Sequence, residues 1–185
     1  QNGTVRKAPW SVSSEWLRFI VAAFRRRRGL GATLPARYTG AVARPPMRYT
    51  WVSGAFAVNG DTLYIRKFRR YPLSLKDQVD SGVLTREAAE FLDMAVKARV
   101  NMLVSGGSGA GKTTLTTTLC LSIPRNERVV TVEDEHEIYL EESLDNFVAY
   151  ELNPEEAETS LSDLLRHVGL KVAPDRVIVG EVRGK

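Results

Sequence analysis

Residues Gly106-Gly107-Ser108-Gly109-Ala110-Gly111-Lys112-Thr113 fit the pattern G-x-x-x-x-G-K-[ST] at every fixed position. Glycines let a backbone take conformations that side chains forbid, so successive N–H groups can turn inward toward phosphate oxygens. A helix that starts at the end of such a loop adds the positive end of its dipole to the same phosphates. In that arrangement Lys112 reaches the β- and γ-phosphates of a nucleoside triphosphate, and the Thr113 hydroxyl binds Mg²⁺. The nucleotide-binding set expected from the pattern is therefore Gly106 through Thr113, with Thr114 following in the first turn of the helix.

Hydrolysis also needs acids. The run VVTVEDEHE (129–137) ends in Glu133, Asp134 and Glu135, and VIVGEVRG (177–184) ends in Glu181 with Arg183 beyond it. A carboxylate at such an edge can hold Mg²⁺ through water or polarise the attacking water. Glu181 follows a fully apolar run and is the stronger candidate; Glu135 and Glu137 read as solvated acids at a strand end. His136 and His167 are the only histidines and receive no role, and Cys120 reads as packing. No Cys/His metal spacing is present, and nothing brings Ser, His and Asp together as a nucleophilic triad.

The elements that must position these residues follow from the hydrophobic periods. Asn101–Ser105 is a short apolar strand, 106–111 the Gly-rich loop, and Lys112–Ile123 a helix closed by Pro124. Arg128–Glu133 reads as a second strand, 135–160 as acidic and irregular with Pro154, and Arg176–Gly180 as a third strand. Ser160 or Ser162 starts a helix through His167 before that third strand. Strands alternating with helices imply a parallel sheet with its site at the strand C-termini. Upstream, Thr85 caps a helix over 86–99 with one broad apolar face. WVSGAFAV (51–58) and TLYIRKF (62–68) flank Asn59-Gly60-Asp61 as a hairpin, and Ser13 or Ser14 caps a helix ending in Arg25–Arg28. Residues 1–12 read as a loose terminus.

A single cysteine excludes an internal disulfide framework and fits a reducing compartment. The net charge of +4 conceals an asymmetry: residues 1–70 hold fourteen lysines and arginines against two acids, and residues 71–185 hold twelve against twenty. The front is a cationic module that can face the acidic back, anionic lipid, nucleic acid or an acidic protein. The longest apolar run, WLRFIVAAF (16–24), is interrupted by Arg18 and too short to cross a bilayer; its arginines follow the apolar part, unlike those of a secretory signal. A cytoplasmic protein is expected, able to touch a membrane from its inner face.

GGSGAGKTT, then RVVTVEDEHEI, then APDRVIVGEVRG resembles the type II/type IV secretion ATPases, most of all their Tad/Flp-pilus and conjugative-transfer branch. GDTLYIRKF and PLSLKDQVDSGVLTREAAEFLDMAVKARVNMLVSG support the resemblance, which covers about residues 51–185. It implies an α/β fold: a RecA-like P-loop NTPase core, incomplete at its C-terminus, preceded by a small α+β N-terminal module. The corresponding division is a basic module over 1–71, a linker over 72–84 and the P-loop ATPase domain over 85–185. It implies ATP and Mg²⁺ as cofactors, a hexameric ring, and an inner-membrane platform of a secretion or pilus machine as partner, with DNA left open.

At matching positions the resemblance makes Gly106–Thr113 the Walker A loop and puts Glu133 and Asp134 in an acidic box, Glu133 orienting the attacking water. Glu181 becomes the Walker B glutamate at the metal. Arg66, in YIRKF, matches an arginine offered to the nucleotide phosphates, ahead of Arg69 and Arg70. The family's histidine box finds no counterpart before Lys185, so the chain is expected to be a fragment with an exposed sheet edge. The alternative reading is a nucleic-acid translocating or packaging P-loop ATPase whose cationic front grips phosphates. A small GTPase or nucleotide kinase is disfavoured, since there is no Asn-Lys-x-Asp motif and 135–160 lacks a kinase lid's arginines.

Overall fold

Ser13 opens the first helix, α1 (Ser14–Arg27), by accepting a hydrogen bond from the Trp16 N–H, and Glu15 and Arg25–Arg27 sit at the ends that suit the helix dipole. The computed structural model describes residues 12–31, 33–42, 44–152 and 159–181. Most of the expected loose terminus, together with Pro154 and Arg183, lies outside the described residues. The chain divides into two units, Gln1–Phe68 and Arg69–Lys185. Among the described residues no helix is long and apolar enough to cross a membrane.

In the first unit α1 precedes three antiparallel strands, β1 (Arg37–Val42), β2 (Met47–Val52) and β3 (Thr62–Lys67), in the order β1-β2-β3. Met47, Tyr49 and Trp51 alternate inward from β2 and meet Val21, Tyr38 and Val42 in one core. The arginine run does not share one environment. Arg25 is 3% exposed; its Nε donates to the Gly31 carbonyl at 3.0 Å and its guanidinium lies 4.6 Å from the Tyr38 ring centre. Arg28, three residues on and so on the same side of the helix, donates to the Tyr38 hydroxyl, while Arg26 and Arg27 face outward. The expected hairpin exists between β2 and β3, but β2 ends at Val52. Asp61 ties the connection together, accepting from the Gly54 N–H at 2.6 Å and from Arg18 Nε at 2.8 Å.

The second unit contains α2 (Leu75–Asp80), α3 (Arg86–Lys97) and α4 (Lys112–Cys120), followed by β4 (Val129–Glu133), β5 (Phe147–Glu151), α5 (Leu161–Leu164) and β6 (Arg176–Val179). A π-helical turn, Leu165–Gly169, continues α5. The three strands form a parallel sheet in the order β5-β4-β6, with Val129 opposite Phe147 on one side and Arg176 on the other. Every residue of β4 is buried, as the middle strand of a parallel sheet covered on both faces must be. Val129 packs with Val96, Leu119, Cys120, Ile123, Ile138, Leu140 and Leu144 in a core that seats α3 and α4. At the strand starts, Arg176 clamps the unit: Nε and Nη2 donate to Glu127, and Nη1 donates to the Val96 carbonyl at the end of α3.

Four elements differ from the reading of the sequence. The stretch 72–84, read as a linker, contains α2, opened by a reciprocal cap between Ser74 and Asp77. Gln78 of α2 is buried and donates to Thr118 Oγ1 of α4 at 3.1 Å. Asn101–Ser105 forms no strand, and Leu103 is 88% exposed. A strand exists only through a neighbour's hydrogen bonds, and no described strand pairs with this run. Conversely, β5 emerges from the stretch read as irregular because β4 provides it with a partner. Helix α5, capped by Ser160, gives way to π geometry before His167.

Candidate functional site

The loop 106–111 leads directly into α4. Gly111 is the N-cap of that helix at φ +90°, a left-handed conformation that side chains disfavour, and Gly109 has φ +74°. No side chain caps α4, so its first amides are left to a ligand or water. Lys112 folds back over the loop, its Nζ donating to the Gly107 carbonyl at 2.9 Å. Gly107, Ser108 and Ala110 are exposed on the loop, and Thr113 and Thr114 occupy the first turn of α4.

The acids come from the C-terminal ends of β4 and β6. Glu133 closes β4 and is 2% exposed. Its carboxylate accepts from the Glu137 N–H at 2.9 Å and the Ile138 N–H at 3.1 Å, and its other oxygen lies 3.1 Å from His136 Nδ1. Gly180, just after β6, backs onto it so closely that an added Cβ would stand 2.8 Å from Glu133 Cγ. Glu181 follows Gly180 and is exposed. Glu137, read from the sequence as a solvated acid, instead approaches α4: the Thr113 hydroxyl donates to Glu137 Oε2 at 3.4 Å.

His136 received no role from the sequence. The structure sets it between two carboxylates, with Nδ1 on Glu133 and Nε2 3.2 Å from Glu141. Its ring also stacks edge-on against Tyr139, whose hydroxyl donates to the His136 carbonyl. Burial alone would lower the imidazole pKa, but the two carboxylates overcome it and push it up to about 9. With both ring nitrogens facing acceptors, the protonated ring satisfies the turn 134–141 from within. The sequence signal for this clamp is the Glu-x-x-His spacing, which brings the two side chains together once the chain turns after β4.

Arg66 belongs to the first unit. It lies on β3 opposite Arg48 of β2, exposed, with its guanidinium 5.6 Å from the Phe68 ring centre. Of the residues singled out from the sequence, the second unit thus brings together Lys112, Thr113 and the carboxyl edge of β4 and β6, where Glu133 and Glu181 lie. Cys120 is buried in the core and its thiol is pushed up to about 12 by burial, which fits packing rather than reactivity.

Together these features define a mixed α/β protein built around a Gly-rich loop at the carboxyl edge of a parallel sheet. The chain belongs to the family described as Type II/IV secretion system protein, which residues 49–185 match. An uncharacterised protein of Methanocaldococcus jannaschii is 40% identical over 136 residues, which cover 69% of this chain and 19% of the relative. A putative conjugal transfer protein of Mycobacterium tuberculosis is 37% identical over 130 residues, covering 69% of this chain and 37% of the relative. The chain therefore spans well under half the length of these relatives. A solved structure of the VirB11 ATPase from the Brucella suis type IV secretion system matches at 23% identity and a TM-score of 0.46, covering 94% of this chain and 56% of that one.

Proposed function

We propose that the second unit binds ATP with Mg²⁺ and belongs to an ATP-hydrolysing motor subunit that powers secretion, pilus assembly or conjugative transfer. The observation that carries this reading is the junction of loop and helix. Gly111 starts α4 without a side-chain cap, and Lys112 and Thr113 stand at its first turn in a chain of this family. The residues present fit a nucleoside triphosphate: free helix amides and a lysine for the phosphates, a hydroxyl for the cation, and carboxylates on the same edge. Mg²⁺, when bound, neutralises charge on the phosphoryl oxygens. Lys112 holds the phosphates as a point charge; Glu181 is the acid offered to the attacking water, and Glu133, whose oxygens are taken up by His136 and the amides of Glu137 and Ile138, supports that edge from within. Arg66 is part of the proposal as the arginine offered to the phosphates in turnover. A hexameric ring on the cytoplasmic face of an inner-membrane platform is the corresponding assembly.

The test is equilibrium binding of a fluorescent, non-hydrolysable ATP analogue to the chain and to its Lys112→Ala variant. Loss of a charge-assisted contact worth about 1.5–3 kcal/mol corresponds to a 10- to 150-fold weaker complex. Equal affinity in the two proteins removes the loop from the binding site.

A further inference from the structure

Helix α4 begins at the phosphate loop and ends in the core, so whatever holds its buried half sets where Lys112 and Thr113 stand. Part of that hold is apolar: Leu75 of α2, Leu92 and Val96 of α3, and Leu115 and Leu119 of α4 join one core. Apolar contact is non-directional; it brings helices together without fixing how far one has turned or slid against another. One contact is of a different kind. Gln78 of α2 is 4% exposed, and its side-chain amide donates at 3.1 Å to the hydroxyl of Thr118, which is fully buried. That hydroxyl donates in turn to the Thr114 carbonyl at 2.9 Å, one turn nearer the loop. Accepting on one side and donating on the other, it is held in one orientation. The Gln78 carbonyl is engaged as well: the N–H groups of Val83 and Leu84 donate to it just before Thr85 caps α3. Gln78 therefore gathers α2, the approach to α3, and α4 at one point.

We propose that Gln78 is a positioning residue for the phosphate loop: by way of Thr118 it fixes the rotation and axial register of α4, and so the placement of Lys112 and Thr113. This rests on the ATP-binding reading above. The residue type argues for it. A buried amide has to be desolvated, and its hydrogen bond offsets that cost with little net gain, so an apolar side chain of similar size would serve packing as well. What the amide adds is direction, and setting the register of one helix against another is the best-attested use of a buried polar contact. The helix that needs register most is α4, nine residues long, five of them threonine, and opened by a glycine with no side-chain cap. The bonds that start at Gln78 end on Thr114, beside Thr113 and two residues from Lys112. Gln78 and Thr118 are both buried and act on the loop only through this helix.

The experiment compares the unsubstituted chain with Gln78→Met, Thr118→Val, Thr118→Ser and the double variant Gln78→Met/Thr118→Val. Each is measured for its urea midpoint by circular dichroism, its affinity for the same fluorescent ATP analogue with MgCl₂, and amide hydrogen exchange at Thr113–Leu115 without nucleotide. Gln78→Met should keep or raise the urea midpoint, yet bind the analogue about 2- to 12-fold more weakly, the worth of one net hydrogen bond, and exchange faster at Thr113–Leu115. Thr118→Val should weaken binding at least as much and also lower the urea midpoint, since it leaves the Gln78 amide buried without its acceptor. Thr118→Ser, which keeps the hydroxyl, should hold the affinity. The double variant should bind no more weakly than Thr118→Val, because both changes remove the same bond. A residue that only packs would change stability and leave the affinity of the folded protein alone. Should Gln78→Met fail to fold, Thr118→Val against Thr118→Ser decides. Unchanged affinity in folded Gln78→Met and Thr118→Val overturns the inference alone. Absence of nucleotide binding by the unsubstituted chain overturns the ATP reading, while exchange at Thr113–Leu115 still decides whether Gln78 holds α4.

Discussion

Gly180 tests the packing of the site most directly. A methyl group placed there by Gly180→Ala would stand 2.8 Å from Glu133 Cγ and 3.3 Å from its Cβ. Carbon atoms in contact rest at about 3.5–4.0 Å, so one partner must retreat by roughly 1 Å. Strand β6 resists, because the Gly180 N–H is bonded to the Val132 carbonyl at 2.9 Å. The retreat therefore falls on Glu133, whose oxygens lie 2.9–3.1 Å from their three partners. A displacement of about 1 Å carries those contacts to roughly 4 Å, past any useful hydrogen bond. Overpacking costs about 1–3 kcal/mol, and a buried acceptor losing partners costs a similar amount; the two overlap, so about 2–4 kcal/mol is expected.

Urea denaturation reads this out with a built-in control. The three tryptophans, at 10, 16 and 51, all belong to the first unit, so their fluorescence follows that unit while circular dichroism follows both. With a urea dependence of about 1–3 kcal/mol per molar, the second unit's transition should move down by roughly 1–2 M. The tryptophan transition should stay in place. A second-unit midpoint within error of the unsubstituted chain would refute the packing of Gly180 on Glu133, and with it the immobility of that carboxylate.

Two further outcomes follow from the charged groups. His136 titrates near 6.5 when unfolded and at about 9 in the fold, so the native state binds the extra proton between those values. Its contribution is complete below pH 6.5 and disappears as the pH rises through 9, an upper bound of about 3 kcal/mol; denaturation midpoints at pH 6 and pH 9.5 should differ in the unsubstituted chain, and His136→Gln should flatten most of that difference. The hydrogen bond from Arg176 holds the Glu127 carboxyl below the usual glutamate range, so its support is present at neutral pH and lost on acidification through its folded pKa. Glu127→Gln leaves the nearly buried Arg176 guanidinium with only a neutral partner and the Val96 carbonyl, and should cost about 2–4 kcal/mol in urea denaturation at pH 7; no change would mean the pair is solvated.

Local rules carried the sequence reading a long way. Ser13 and Thr85 cap the helices they were expected to cap, and the apolar periods place α3, β4 and β6 to within a few residues. What was not legible is relational. Met102–Val104 has the composition of a strand but no described partner, whereas Phe147–Glu151, after an acidic stretch, becomes one because β4 lies beside it. Helix α2 was missed although Ser74 and Asp77 have capping-box spacing, since an aspartate in place of the usual glutamate weakens the pattern. At the site, the loop and its lysine were plain from spacing alone. The division of labour among Glu133, His136 and Glu137 was not, because it depends on which way the chain turns after β4, and hydrogen bonds between residues four and five apart set that turn.

Helix α4 carries both Lys112 and Thr113, and it is built from KTTLTTTLC. Five of its nine residues are threonines, whose branched side chains lose rotamer freedom in a helix, and two of them turn their hydroxyls back on backbone carbonyls within it. So short a segment of such composition does not hold a helix by itself in water. Its order is borrowed from Leu119 and Cys120 in the core and from Gln78 reaching across to Thr118. The phosphate loop is therefore expected to be among the first parts of the unit to open by local unfolding. Amide hydrogen exchange should be fast at the start of α4 and slow in β4, and a bound nucleotide should slow exchange most where the chain supports itself least.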